Sequence, residues 1–533
     1  MSTPSARLPI IYVRGYAGGT PGIEKAVTDP FYGFNEGSTH IRVGRQDAPV
    51  FYQFESPLLR LHLDEGYHIL VEGSQDKYLE NHDTIPPDSI WIHRFYDRSA
   101  GNWGAGPERF DLETAAADLL VLIEKLQART GAPRVHLVAH SMGGLICRCL
   151  LQKVIPEQRP GRRATDYVAK LFTYGTPHGG ITFAVGFGVP EALRDMIGPN
   201  GADVFGPERM YRYLTPVARQ ARSGPPVGWR AVDMPDDDGT GSAEDAAGGF
   251  PLNRVFCLVG TDSADYEVAH GLSSAAVGPR SDGLVQIENA QVTGAHRAFA
   301  HRSHSGRYGL VNSEEGYQNL RRFLFGDLQV RADLVGMALP QDDPDVTWQG
   351  EVELKVRGLP VLMHERVAPH WCPIQLSDPP PNGRRDRTAP DGRDADRGGP
   401  GTDGAVRLAT AFLSTSLPRP GAVPLRYALD LRVLSLREHK GFFGFGDHLE
   451  RTADFADTLI VDVEATGPRP AAWAHWNSEI SGTIKDLRPA DEPPLPDEDP
   501  AAASWVSRVR LPSTTVPFLG EAARVRLTVG PWH

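Results

Sequence analysis

At 533 residues the chain is well past the ~250–300 at which one hydrophobic core stops growing, so two domains are expected. Its 40% hydrophobic and 23% charged residues are ordinary for a soluble globular protein. The net charge of -12, with Asp and Glu interleaved among the arginines, excludes a nucleic-acid surface, and no run of ~18 apolar residues exists to span a membrane.

The N-terminus lacks a charged stretch followed by an apolar run, so no secretory signal is read there and a cytoplasmic location is expected. Cys147, Cys149, Cys257 and Cys372 lie in apolar segments without metal-ligand spacing, which suits buried thiols in a reducing compartment.

From residue 8 to about 327, strand-like and helix-like patterns alternate, which predicts a mostly parallel sheet with helices on both faces. Leu8–Val13 is an apolar run feeding the loop Arg14-Gly15-Tyr16-Ala17-Gly18-Gly19, and Ile90–Tyr96 reads as a second strand. A helix opens at Asp111, with Leu112, Ala116, Leu119, Ile123 and Leu126 at a period near 3.6, and Gly131 and Pro133 stop it. Val135–Ala139 is a short apolar strand that runs directly into a helix over Met142–Val154. Val168–Thr173 and Arg254–Val259 are further strands, and Leu284–Val292 is a weaker one. The last helix of this half starts near Asn312, capped by Asn312 with Glu315 three residues on, and ends at Gly326.

Beyond Asp327 the period changes to 2. Val352, Leu354 and Val356 alternate with Glu351, Glu353, Lys355 and Arg357, and Tyr427–Val433, Leu459–Val463, Trp505–Leu511 and Val525–Val529 read alike. An all-β, sandwich-like domain over 328–533 is expected, carrying mobile loops at about 377–403 and 487–503 where Pro, Gly and charge displace apolar residues. A similar tract, Asp233–Gly249, interrupts the first domain.

The chemistry concentrates at Ala139-His140-Ser141-Met142-Gly143-Gly144. A serine hydroxyl is a poor nucleophile unless a base removes its proton and the backbone presents it outward. A sharp strand–turn–helix does the presenting and tolerates only small residues two positions either side, here Ala139 and Gly143. The helix start adds free N–H groups, of which that of Met142 is placed to hold an oxyanion.

This segment resembles the nucleophile elbow of α/β-hydrolase lipases, in particular bacterial lipases whose elbow opens with Ala. Tyr174-Gly175-Thr176-Pro177-His178-Gly179-Gly180 is similar to their Gly-Thr-Pro-His loop, where His178 suits a structural role better than a catalytic one. Arg14-Gly15-Tyr16 stands where lipases carry His-Gly-x, so the resemblance implies the backbone N–H of Tyr16 as the second oxyanion donor and leaves the role of Arg14 open. Ser281-Asp282-Gly283-Leu284-Val285 resembles the segment that supplies the lipase acid, which implies a triad of Ser141, Asp282 and His304. The fold implied is an α/β-hydrolase domain over 1–327 with a cap or lid insertion at about 181–253. That insertion opens with an apolar stretch from Ile181 through Met196.

Rivals stand beside these residues. Asp262 directly follows the Arg254–Val259 strand, where many enzymes of this fold keep their acid, and His296 and His301 compete with His304. The activity implied is carboxylic-ester hydrolysis on a small-molecule or lipid-like substrate, without a cofactor; no carboxylate cluster is specific enough to assign a calcium ion or other metal. An acyltransferase would use the same triad, and a binding protein on a hydrolase scaffold is the reading from another class. The β-rich domain offers a possible interaction surface.

Overall fold

A computed structural model describes residues 7–16, 20–43, 49–70, 75–97, 110–182, 204–244, 246–266, 277–340, 345–376, 405–416, 424–439, 448–465, 467, 469–484, 487 and 491–533. Two compact units divide the chain: Met1–Arg297 with His301–Leu320, and Arg321–His533 with Ala298–Ala300.

The first unit is organised by strands β1 (Ile10–Val13), β4 (His68–Ile69), β5 (Ser89–Ile92), β6 (Val135–His140), β7 (Val168–Tyr174), β8 (Val255–Gly260) and β9 (His296–Ala300), with a separate antiparallel ribbon of β2 (Ser38–Val43) and β3 (Pro49–Phe54). The seven-stranded sheet runs β4-β5-β1-β6-β7-β8-β9, with β4 through β8 parallel along that order. Strands β6, β7 and β8 are buried almost end to end, which is why they read as continuous apolar runs. The chain runs from β1 to the edge strand β4, returns through β5 beside β1, and then from β6 lays strands outward on the other side. The crevice beyond the carboxyl ends of β1 and β6 is therefore the switch point, where open α/β sheets bind their ligands.

Helices α1 (Thr20–Thr28), α2 (Pro57–Glu65), α3 (Gln75–Asn81), α4 (Leu112–Thr130), α5 (Met142–Cys149), α6 (Pro207–Leu214) and α7 (Glu314–Phe325) complete this part of the chain, α7 running on past Leu320 into the second unit. Helix α4 forms as its sequence dictates: Asp111 caps Thr114 N, Gly131 at φ 67° ends it, and Leu112, Ala116, Leu119, Ile123 and Leu126 are its buried stripe. Helix α5 continues through a π turn over Leu150–Val154 as far as Gln158.

Three expectations are corrected. Leu284–Val292 is not a strand. Its apolar side chains are buried, but the Asp282 carboxylate takes the amides of Leu284 and Val285 that a ladder would need, and a 3₁₀ turn follows at Ile287–Asn289. The cap of α7 is Ser313, whose Oγ accepts from Gly316 N at 3.0 Å, while the Asn312 carbonyl receives Ser38 Oγ and Glu315 grips Arg302. Asp233–Gly249 lacks regular structure yet is tied down, with the buried Asp237 paired to Arg163 and Arg219 donating to the carbonyls of Glu244 and Ala247. Of the apolar stretch from Ile181 through Met196, residues 183–196 lie outside the described residues, as do 377–403.

The second unit is all antiparallel. Strands β10 (Leu328–Val335), β14 (Val406–Leu413), β18 (Trp505–Arg510) and β19 (Arg524–Pro531) form a sheet in the order β14-β10-β19-β18. Strands β11 (Val346–Val356), β12 (Leu362–Arg366), β15 (Leu425–His439), β16 (His448–Glu464) and β17 (Ala471–Trp476) form the other, with β13 (Ile374–Gln375) beside β11. One apolar core takes alternate residues of both sheets, among them Val330, Leu334, Leu527 and Val509 from the first and Val352, Leu354, Leu429 and Val461 from the second. That is a sandwich. The Leu487–Ala503 tract is anchored in it where described, by Leu495 N on Ala472 O, Glu498 N on Val506 O and the Arg469–Asp497 pair.

Candidate active site

Ser141 sits between β6 and α5 at φ 54°, ψ -129°, a conformation that side chains rarely adopt, and it caps no helix amide with its hydroxyl. The turn is enforced from both sides. A Cβ on Gly143 would lie 2.2 Å from Val13 O, and one on Gly15 would lie 2.5 Å from Ser141 Cβ. The loop after β1 thus passes directly against the nucleophile. Thr176 Oγ1 donates to Ser141 O at 2.8 Å and Ser141 N donates to Tyr174 O at 2.9 Å, so the Gly-Thr-Pro-His loop pins the turn from the β7 side.

His304 Nε2 lies 2.9 Å from Ser141 Oγ, and His304 Nδ1 lies 2.8 Å from Asp282 Oδ2. The other oxygen of Asp282 accepts the amides of Leu284 and Val285, at 3.0 and 2.8 Å, and His304 N donates to Asp282 O at 2.8 Å. The three side chains are 6%, 3% and 0% exposed for Ser141, His304 and Asp282, so their mutual hydrogen bonds are not diluted by water. The carboxylate can orient the imidazole through Nδ1, leaving Nε2 to take the serine proton.

The rivals are elsewhere. Asp262 turns its Oδ1 to the amides of Ala264 and Asp265 and its Oδ2 to His301 Nε2, 3.9 Å away. His296 opens β9. His178 is fully buried, with Nε2 3.1 Å from Thr173 Oγ1, and burial together with the nearby Arg148 cation holds its pKa well below the ordinary value, as suits a neutral structural ring.

Tyr16 ends the described part of the first loop, next to Gly15, and Met142 opens α5 directly after Ser141. Arg14 has a defined place: its Nη1 donates to Tyr32 O, on the turn that follows α1.

Three contacts about the site had no signal in the sequence. His140 Nε2 donates to His304 O at 2.9 Å, with the two rings 4.9 Å apart. Burial, with His304 and Arg14 adding to it, pushes His140 down to about 3, so it is neutral and anchors the histidine loop without placing a charge beside it. Tyr266 packs edge-on against His304 at 5.8 Å. Arg148, fully buried on α5, donates to the carbonyls of His178 and Ala231 and to Gln152 Oε1, fastening the elbow helix to two loops. Each depends on residues far apart in sequence.

A family model of the alpha/beta hydrolase fold matches residues 82–207. That stretch includes β5, the nucleophile turn and β7. The fold of the seven-stranded sheet is that of an α/β-hydrolase. No curated protein sequence matches the chain. Among solved structures, the chain is similar to a Bacillus licheniformis lipase in mature form, at 16% identity and a TM-score of 0.27 over 58% of this chain and 90% of that one. A gene product of Listeria innocua matches at 12% identity and 0.25, over 60% and 94%. Aspergillus fumigatus lipase B matches at 10% and 0.22, over 55% and 44%. Likenesses of this size carry no weight for activity or substrate. Among the described residues no helix is long and apolar enough to cross a membrane, and no group of three or more His, Cys, Asp or Glu is arranged to hold a metal ion.

Proposed function

We propose that the chain is a serine hydrolase that cleaves carboxylic esters of lipid-like or other acyl-chain substrates through Ser141, His304 and Asp282. The observation that supports it most is the hydrogen-bond relay from Asp282 Oδ2 to His304 Nδ1 and from His304 Nε2 to Ser141 Oγ, at 2.8 and 2.9 Å. It lies at the carboxyl end of β6, beside the switch point of the sheet.

In this reading His304 Nε2 takes the Ser141 proton as Oγ attacks the ester carbonyl carbon. The carbonyl oxygen becomes an oxyanion facing the N–H groups of Met142 and Tyr16. Collapse of the tetrahedral adduct breaks the bond to the alkoxy group, which leaves as an alcohol with the proton returned by His304. Water, deprotonated by the same imidazole, then attacks the acyl-enzyme and releases the acid with Ser141 restored. Asp282 holds the imidazole and balances its charge when it carries two protons.

The test is labelling of the whole chain by a fluorophosphonate, with hydrolysis of p-nitrophenyl esters of increasing chain length. Wild type should label at one site and turn over, and Ser141→Ala should do neither above the ~10³–10⁴-fold residual over water that binding and an oxyanion hole sustain. A Ser141→Ala protein that keeps wild-type turnover sinks the proposal. Preference for long chains over acetate would assign the lipid-like substrate.

A further inference from the structure

The outward face of the β14-β10-β19-β18 sheet runs against the charge of the chain. Its inner residues enter the sandwich core, and its outer ones bring together Arg331, Arg407, Arg508, Arg510, Arg524 and Arg526 in a protein of net charge -12. The strands themselves place one carboxylate among them, Asp333. Register sets Arg407 opposite Asp333 on one side and Arg526 opposite it on the other. On β18 and β19, Arg508 then stands directly opposite Arg526, and Arg510 opposite Arg524. Like charges directly opposite across a strand pair destabilise a sheet, so two successive arginine pairs are a cost that the sandwich alone does not require.

Asp333 is fully buried under three guanidinium groups: Arg407 through Nε, Arg331 Nε at 3.1 Å and Arg526 Nη2 at 3.1 Å. Three cations against one carboxylate leave two positive charges. Hydrogen-bonding capacity is also left over, since Arg526 Nε and Thr528 Oγ1 are buried without a partner among the described residues. Arg526 and Thr528 are two apart on β19 and so share this face. Arg508 is neutralised by Glu498 and the Arg524 guanidinium is engaged by the backbone carbonyls of Glu521 and Ala523, whereas the Asp333 cluster keeps both excess charge and unused donors.

We propose that this cluster binds a phosphate-class oxyanion, held by Arg331, Arg407, Arg526 and Thr528 with Arg510 at the rim. A phosphate group carries about -1.5 to -2 charge at pH 7, which matches the residual charge, and its oxygens suit the planar guanidinium fork. Burial lowers the basicity of Arg331, Asp333 opposes that, and Arg407 and Arg526 add to it, so a second anion relieves a repulsion already present. The chemistry fits free phosphate and the phosphomonoester headgroup of phosphatidic acid alike. The site is independent of the ester-hydrolase reading, since none of its residues belongs to the Ser141 relay.

The test uses the full chain in inorganic phosphate against sodium chloride at equal ionic strength, followed by thermal denaturation and calorimetric titration. Sedimentation with vesicles of phosphatidic acid in phosphatidylcholine, beside phosphatidylcholine alone, forms a second arm. Phosphate should raise Tm saturably where chloride does not, and Arg526→Gln should weaken binding at least tenfold. Arg510→Gln, at the solvated rim, should fold normally and weaken it about threefold, which keeps the test open if Arg526→Gln fails to fold. Sedimentation with the anionic vesicles alone, without a phosphate effect, would assign the headgroup as the source, provided the rim variant reduces it. Equal responses to phosphate and chloride together with no preference for anionic vesicles overturn the proposal, and so does binding that the variants leave unchanged.

Discussion

Gly15→Ala tests the nucleophile turn from the loop that faces it. The added methyl would sit 2.5 Å from Ser141 Cβ, 3.0 Å from His140 O and 3.2 Å from Ser141 Oγ. Carbon atoms in contact stay about 3.5–4.0 Å apart, so the two backbones must separate by about 1 Å. Overpacking of this kind costs roughly 1–3 kcal/mol of stability. Catalysis should suffer further, because the Ser141 Oγ to His304 Nε2 distance is 2.9 Å and Tyr16 N–H moves with residue 15. A misplacement of about 1 Å costs on the order of 10²-fold, which is about 2.7 kcal/mol in the barrier. The assay is kcat/KM on a p-nitrophenyl ester and the rate of fluorophosphonate labelling, with Tm measured in parallel. Gly350→Ala, whose methyl would meet its nearest atom at 3.5 Å, is the control and should be near silent. Gly15→Ala with wild-type Tm and kcat/KM within threefold of wild type would refute the contact and the reasoning built on it.

Asp282→Asn should lower kcat by orders of magnitude by favouring the wrong imidazole tautomer, while Asp262→Asn and His301→Ala stay within about tenfold; the reverse ranking would place the acid after β8. His140→Leu strands the His304 carbonyl and should lower kcat about tenfold at similar KM, with His140→Gln recovering most of it; no recovery would mean that the ring only fills space. Lys170 pairs in register with His136 on β6, and burial, with Arg254 and Arg134 adding to it, pushes its pKa down to about 7 from 10.5. Between those values the unfolded chain holds a proton that the folded one lacks, so stability rises with pH across that window and the penalty is greatest below pH 7. At 1.36 kcal/mol per pKa unit the limit is about 5 kcal/mol. Lys170→Met should therefore be more stable than wild type by a few kcal/mol at pH 7, with the gap closing towards pH 10.5, and a Met variant less stable at pH 7 refutes this.

Two features of the chain were legible without coordinates because they are local. A strand that is buried on both faces must be apolar throughout, so β6, β7 and β8 announced themselves, and the small residues around Ser141 marked a turn where two backbones meet. Period 2 beyond Asp327 likewise identified β11, β15, β16, β18 and β19, since one face of each enters the core, but not β10, β12, β14 or β17. What the local pattern could not decide is where a polar group finds its partner. Leu284–Val292 has the apolar content of a strand, yet the Asp282 carboxylate claims two of its amides. Asp262 and Asp282 both follow plausible positions for the acid, and only packing turns one to His301 and the other to His304, 22 residues downstream. His304 in turn reaches Ser141 across 163 residues. The arginine face is the same lesson in the second unit: each strand shows ordinary alternation, and the excess charge exists only once register sets the arginines of β14, β10, β19 and β18 side by side.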